Sequence, residues 1–280
     1  MPHCYSVKSS INELATYLPP VIILGAIALY ALGFKLQFDR LRATEEAGQL
    51  STWLPISALL CHGFAVYSLL VVDGGINLGL LSVANVVSFV IVAVVAIGHL
   101  RLPVANLYLF IFPIGAVILL VALVIDPGAE PVTNIGSMML AHILVSLAAY
   151  SALMVAALQS VLLALQERRL KTHTSPVRQI LPPLESMEHL LIAMLWIGLF
   201  LLSCSIITGW LFIEDMLEQR ISHHVVLTSL SWVTYVIFLG GRYLLGWRGT
   251  TAVRWTLVAF VLLVLGYFGT KFVLEYLLAP

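Results

Sequence analysis

The stretch 138–171, MMLAHILVSLAAYSALMVAALQSVLLALQERRLK, decides how this chain relates to a membrane. It is apolar enough to cross a bilayer, it holds His142 about one turn from its start, and it ends in a basic cluster. A histidine inside hydrocarbon costs free energy if it is charged and needs a partner if it is neutral. We therefore treat His142 as the first candidate for a functional residue.

The composition of the whole chain agrees with this stretch. Of its 280 residues, 61% are hydrophobic and 10% are charged, whereas a soluble domain is about half apolar and about a quarter charged. These values predict a polytopic membrane protein surrounded by the lipid bilayer. The formal net charge is zero and no basic patch alternates with aromatic residues, so nucleic acid is excluded as a partner.

Eight stretches are long and apolar enough to span the hydrocarbon, which takes about 20 residues. Backbone groups in lipid must be satisfied within the span, so each stretch is predicted to be a helix. We predict an all-α polytopic membrane protein with about eight transmembrane helices, forming a single transmembrane domain over residues 1–280. The predicted spans are 18–36, 53–72, 83–100, 103–125, 137–165, 189–213, 225–245 and 255–278.

The distribution of basic residues predicts the orientation. Most of the 14 lysines and arginines lie in the segments that join spans 1 and 2, 3 and 4, 5 and 6, and 7 and 8. Because cytoplasmic loops are enriched in lysine and arginine, both termini should lie outside the cytoplasm. The segment 166–188 is basic and broken by prolines, and we predict that it is a cytoplasmic linker.

Carboxylates are missing from the predicted membrane interior, because all 14 acidic residues fall in loops or at helix ends. Ion-coupled transporters usually need one there, so a carboxylate-driven transporter is disfavoured. No buried acid–base pair or activated nucleophile is evident, so we assign no catalytic residue and predict that the protein is not an enzyme. The three cysteines include no CxxC pair, which argues against a zinc site and a dithiol redox centre.

Histidines carry the remaining chemistry of the spans. His62 lies near the middle of the second span, His142 near the external end of the fifth, and His223 and His224 open the seventh on that same side. A neutral imidazole is a good ligand for haem iron. The alternative is structural: His142 and His62 would be packed and hydrogen-bonded inside the protein, and His223 and His224 would be ordinary interfacial residues.

A stripe of small and hydroxylated residues follows His142 along the fifth span. Small residues let transmembrane helices approach closely, and hydroxyl groups form hydrogen bonds between them. The stripe is therefore predicted to face other helices, and His142 with it. Its members, at helical spacing, are His142, Ser146, Ala149, Leu153, Ala156 and Ser160.

The run LAHILVSLAAYSALMVAALQSVLLALQERRLK, followed by LPPLESMEHLL and IITGW, resembles the cytochrome c assembly family of CcsA-, CcmC- and HemX-like membrane proteins. LSWVTYVIFLGGRYLLGWRG and LVLGYFGTKFV are similar to the last two helices of that family. The likeness covers residues 137–275, and the second and third spans fit more loosely. It implies a multi-pass protein of a bacterial inner membrane. The termini, which the basic residues place outside the cytoplasm, would then be on the periplasmic side.

The resemblance also implies haem handling at the external face. Family members present haem through a tryptophan-rich WGxxWxWD loop with flanking histidines that ligate the iron, and His142 falls where the family has the histidine before that loop. At that place this chain instead reads FIEDMLEQRISHHVV, a stretch that follows Trp210 and contains no tryptophan. We expect His142 and His224 as haem-iron ligands, with His223, His62 and Trp210 as further cofactor-binding candidates.

Three hypotheses follow. The first is a protein that binds or handles haem, with haem b as its cofactor, without a complete tryptophan-rich loop. The second is a non-catalytic accessory or regulatory subunit that keeps the fold, has lost haem chemistry and contacts a membrane protein partner. The third, a small-molecule exporter or channel, ranks lowest because the membrane interior holds so little polar chemistry.

Overall fold

A computed structural model of the chain describes residues 3–42, 53–72, 74–102, 104–125, 131–133, 135–172, 183–212 and 222–278. Its helices are α1 His3–Arg42, α2 Trp53–Leu70, α3 Leu80–His99, α4 Tyr108–Val124, α5 Ser137–Thr172, α6 Leu184–Phe212, α7 Ser222–Leu245 and α8 Thr250–Val264. A 3₁₀ turn, Ala105–Leu107, precedes α4. A π turn, Leu265–Gly269, continues α8 and leads through Thr270–Phe272 to a second π turn, Val273–Leu277.

The prediction of eight membrane-spanning helices is confirmed. Within the described residues, eight helices are long and apolar enough to cross a bilayer. The last of these spans, Thr250–Leu277, includes both π turns. The described chain has one small element of another kind, a hairpin of the strands β1 Val71–Val72 and β2 Gly75–Ile76. The hairpin pairs with Val132 through two hydrogen bonds between the backbones of Ile76 and Val132, 3.2 and 2.9 Å long.

The chain divides into two compact units, Met1–Thr133 and Asn134–Pro280. Each contains four helices, and the single domain expected over residues 1–280 stays a prediction. The ends of the expected linker 166–188 are helical, because α5 continues to Thr172 and α6 begins at Leu184. Residues 173–182 lie outside the described part of the chain.

In the first unit, α1 packs on α2 and α4, and α3 completes the ring. Close approach depends on small residues: a Cβ atom placed on Gly33 would lie 2.5 Å from the ring of Phe112, and one on Gly115 would lie 3.1 Å from the ring of Tyr30. Tyr30 and Phe112 are stacked with their centroids 5.4 Å apart. Because glycine has no side chain, these two positions leave room for aromatic rings to fill the interior of this unit.

In the second unit, α5 packs along α6 and on α8, while α7 packs mainly on α8. The stripe that follows His142 faces these neighbours, as predicted. Its later members Ala149, Leu153, Ala156 and Ser160 are buried. A Cβ atom on Gly198 of α6 would lie 2.5 Å from the side chain of Leu153, so the two backbones approach closely there. One end of the unit holds His142, and the other end holds an ion pair between Arg242 and Glu188.

Candidate functional site

His142 lies in the second turn of α5 and contacts the end of α6. Its Nδ1 atom is 3.1 Å from the hydroxyl oxygen of Thr208. The Thr208 hydroxyl donates its single proton back to its own helix, toward the carbonyl oxygens of Cys204 at 2.8 Å and Ser205 at 3.0 Å. With that proton engaged, the Thr208 oxygen can only accept from the ring. We therefore assign the Nδ1–H tautomer to His142.

This assignment leaves the Nε2 atom of His142 with a lone pair. Among the described residues, no hydrogen bond of ordinary geometry is made to Nε2, and the backbone of Ser205 is a second polar neighbour of the ring. An imidazole that donates from one nitrogen and keeps a lone pair on the other is the form that binds a metal, and the hydrogen bond fixes the orientation of the ring. The chemistry of His142 therefore fits a haem-iron ligand.

The His142 ring packs against a glycine of α6. A Cβ atom placed on Gly209 of α6 would lie 3.0 Å from Cε1 of the ring, closer than an ordinary van der Waals contact. The imidazole thus packs against bare backbone. Glycine is required here because of this close approach, and the conformation of the backbone at Gly209 plays no part.

Two serines hold α5 and α6 together below the histidine. The Ser146 hydroxyl donates to the carbonyl oxygen of His142 over 2.6 Å. Its oxygen is also 2.6 Å from the hydroxyl of Ser205. Because the proton of Ser146 is already used, Ser205 is the donor in this second bond. The pair fixes the register between α5 and α6 one turn from the imidazole.

The structure brings His224 to this same end of the second unit. It lies in the first turn of α7, and Tyr267, which it contacts, also contacts Tyr150, two turns after His142 on α5. The ring is half-buried and stands edge-on to Tyr267, with the centroids 5.8 Å apart and the planes at 77°. The neighbouring His223 is exposed. Consecutive residues of a helix point in different directions, so only one of the two histidines faces the interior.

Trp210 was the sequence candidate for covering a porphyrin. It is 78% exposed, while the adjacent Gly209 contacts the ring of His142. The indole therefore lies at the same end of α6 as the His142 site but on the outer side of the helix.

His62, the fourth histidine candidate, belongs to the first unit and is 0% exposed. The Tyr30 hydroxyl is 2.7 Å from its Nδ1 atom, and Ser88 Oγ is 3.4 Å from its Nε2 atom. The Tyr30 hydroxyl has no other acceptor among the described residues, so it donates to Nδ1 of His62. The Ser88 hydroxyl donates to the Asn85 carbonyl oxygen and therefore accepts from Nε2–H of His62. Both ring nitrogens of His62 are thus occupied by protein groups.

Sequence reasoning assigned no role to two tyrosines of this region. Tyr267 contacts His224, as described above, and its ring centroid is 5.9 Å from that of Tyr150. The Tyr150 hydroxyl donates to the carbonyl oxygen of Leu263 over 3.0 Å. The available signal was the aromatic pair in LGYFGT, which stands inside the π turn Leu265–Gly269. Such turns are rare and occur often at functional sites.

A conventional metal site is not found in the described part of the chain, where no group of three or more His, Cys, Asp or Glu side chains could hold an ion. Haem iron places a smaller demand on the protein, because the porphyrin supplies four of its ligands and the protein only the axial ones. Two imidazoles at the same end of the second unit, one of them oriented by Thr208, fit that demand.

Comparison with known proteins adds an independent finding. The family model of the cytochrome C assembly protein matches residues 50–278. This match begins earlier than the region 137–275 in which the sequence motifs were evident, and it includes α2 and α3. No solved structure matches the chain.

Three relatives illustrate the range of similarity. The chain is similar to the inner membrane protein YpjD of Escherichia coli strain K12, with 31% identity over 265 residues that cover 91% of this chain and 98% of YpjD. An uncharacterised 28.8 kDa protein of Azospirillum brasilense is 35% identical over 140 residues, 49% of this chain and 52% of that protein. Protein HemX of Brevibacillus brevis is 26% identical over 162 residues, 56% of this chain and 60% of HemX.

Proposed function

The chain belongs to the cytochrome c assembly protein family, and we propose that it binds and handles haem at the His142 end of its second unit. The observation that carries this proposal is the Nε2 atom of His142. No hydrogen bond of ordinary geometry is made to it among the described residues, and the bond from Nδ1–H to Thr208 fixes its lone pair. A ring held in this way loses little freedom on binding iron, which favours ligation.

In this proposal the imidazoles of His142 and His224 would hold the haem iron. His142 is oriented by Thr208 and seated on Gly209, and His224 approaches from α7. The cofactor class is haem b, because the chain has no CxxCH sequence for thioether attachment. Bound haem supplies a redox-active iron. Trp210 is exposed on the outer side of α6, so this proposal gives it no contact with the porphyrin.

The proposed role is haem handling without catalytic turnover. The tryptophan-rich loop that the family resemblance implies has no counterpart between Trp210 and His223 in the sequence. The residues that stand there, 213–221, lie outside the described structure. Without that loop, we propose that the protein holds haem or passes it to a membrane protein partner, and that it does not attach haem to an apocytochrome.

We propose the bacterial inner membrane as its location, with the haem site on the periplasmic side and both termini there. Two observations support this placement. The relative YpjD is named an inner membrane protein. Within the second unit, Lys171 and Arg242 lie at the end opposite to His142, and basic residues mark the cytoplasmic side.

Absorption and pyridine-haemochrome spectra of the purified full-length protein test the proposal. Protein from haem-replete cells should carry haem b with a low-spin spectrum, since two imidazoles give a strong ligand field. His142→Ala should bind haem at least about 10-fold more weakly, the range for loss of a group that directly supports a metal. His62→Ala is the matched control and should retain haem. Haem-free wild-type protein that takes up none on titration would reject the proposal.

A further inference from the structure

We propose that the π turn Leu265–Gly269 is a positioning device for His224, and that Tyr267 is the residue that sets the orientation of the His224 ring. This inference rests on the proposed haem site and adds to it a role for α8, which supplies no iron ligand. His142 is oriented by a hydrogen bond to Thr208. The described structure gives His224 no such bond, so another contact must do the same work for its ring.

The first part of the device is the backbone of Gly266. A Cβ atom placed there would lie 3.2 Å from the hydroxyl oxygen of Thr228, 3.3 Å from Cβ of Leu227 and 3.5 Å from the carbonyl oxygen of His224. All three contacts belong to the first two turns of α7. The π turn is therefore pressed against the segment that carries His224, and any side chain at position 266 would move α7 outward.

The second part is the ring of Tyr267. It stands edge-on to His224 at 5.8 Å and 77°, and edge-on to Phe268 at 5.3 Å and 82°. Aromatic rings favour such edge-to-face contacts, because the positive edge of one ring meets the negative face of the other. An imidazole bound to iron can still rotate about the iron–nitrogen bond. A fixed ring at its edge restricts that rotation.

The third part ties the π turn to α5. The buried hydroxyl of Tyr150 donates to the Leu263 carbonyl oxygen over 3.0 Å, two residues before the turn begins. The Tyr150 ring also contacts Tyr267 at 5.9 Å and Phe268 at 6.1 Å. Tyr150 lies two turns after His142 on the same helix. The helix that carries one proposed ligand thus holds the turn that orients the other.

The geometry follows from a property of π turns. An inserted residue rotates the side chains beyond it relative to a continuous α-helix, and such insertions occur often at functional sites. Here the rotation places Tyr267 beside His224 while Gly266 faces the backbone of α7. Tyr276 of the second π turn differs, because it stacks on Phe272 of its own helix at 5.6 Å.

The test uses haem-loaded full-length protein and two substitutions at one position. Tyr267→Phe keeps the ring and should retain the wild-type low-spin EPR spectrum, whose largest g value depends on the relative orientation of the axial imidazole planes. Tyr267→Leu removes the ring edge. Its EPR signal should shift or broaden into more than one species, with haem affinity reduced by about 10-fold. Tyr276→Leu is the matched control and should leave the signal unchanged.

A second variant protects the test against misfolding at position 267. Gly266→Ala adds one methyl group against Leu227 and Thr228. Its EPR signal should shift or broaden as that of Tyr267→Leu does, with size-exclusion and far-UV CD profiles unchanged. A wild-type EPR spectrum in both Tyr267→Leu and Gly266→Ala would overturn the positioning role and leave haem binding intact. Wild-type protein unable to bind haem would instead remove the proposed function.

Discussion

His62 and His142 are two neutral histidines in apolar helices of the two units, and they have opposite hydrogen-bonding states. His62 accepts at Nδ1 from Tyr30 and donates from Nε2 to Ser88. His142 donates from Nδ1 to Thr208, and its Nε2 makes no hydrogen bond of ordinary geometry among the described residues. The difference follows from where each neighbouring hydroxyl donates its proton. The Tyr30 hydroxyl has no other acceptor among the described residues and donates to His62, whereas the Thr208 hydroxyl donates to carbonyl oxygens of its own helix.

This difference separates a structural histidine from a candidate ligand. At His62 a metal would have to displace a protein hydrogen bond in a site that is 0% exposed. At His142 ligation would add a partner to a nitrogen that makes no hydrogen bond of ordinary geometry in the described structure. Buried polar groups usually have hydrogen-bond partners, so the first site is complete by itself and the second would be completed by a ligand.

The largest expected effect comes from His62→Ala. The substitution leaves a cavity between Tyr30 and Phe89 and deprives the buried Tyr30 hydroxyl of its acceptor. We expect the free energy of unfolding to fall by about 2 to 4 kcal/mol, while haem binding per folded molecule stays the same. Thermal unfolding and haem titration of the detergent-solubilised variant measure the two effects. Loss of haem with unchanged stability would reverse the assignment of the two histidines.

Thr208→Val gives an intermediate effect and sharpens the contrast. It removes the acceptor of Nδ1–H with little change in volume, so the His142 ring loses its fixed tautomer. Haem affinity should fall by about 10-fold, as for other groups that orient metal ligands. Thr208→Ser keeps the hydroxyl and serves as the matched control in the same titration. Equal affinities for the valine and serine variants would show that Thr208 does not orient the ligand.

The smallest effect is expected at His223. Its side chain is exposed, whereas the ring of His224 contacts Tyr267. His223→Ala should therefore change haem affinity by less than about 2-fold, well below the effect of losing a group that directs a ligand. His224→Ala, as the paired variant, should weaken binding and convert the low-spin spectrum toward high spin. A larger loss of haem affinity in His223→Ala than in His224→Ala would make His223 the ligand and His224 the exposed residue.

Some parts of the site were accessible from the sequence because they are local. Apolar stretches of membrane length gave the eight spans. The helical period placed His142 on the same face as Ser146 and Leu153, and that face packs against α6. Both signals depend only on residues within one helix. The family resemblance, carried by motifs in the fifth to eighth spans, was also present in the sequence and agrees with the family match.

Other parts could not be predicted, since they depend on residues far apart in the chain. The partner of His142 is 66 positions away and that of His62 is 32 positions away. Helical spacing gives no reason to prefer His224 over His223 until α7 is packed on Gly266. The division into two four-helix units also appears only from contacts between helices.

By itself, the sequence determined a membrane protein of eight helices, its family, and a histidine on an inward-facing stripe. The tertiary structure alone decided which ring nitrogen of His62 and of His142 carries the proton, and which of two adjacent histidines contacts Tyr267. The physical reason is that hydropathy and periodicity are properties of one segment. A tautomer is set by the donors and acceptors that other helices bring to the ring.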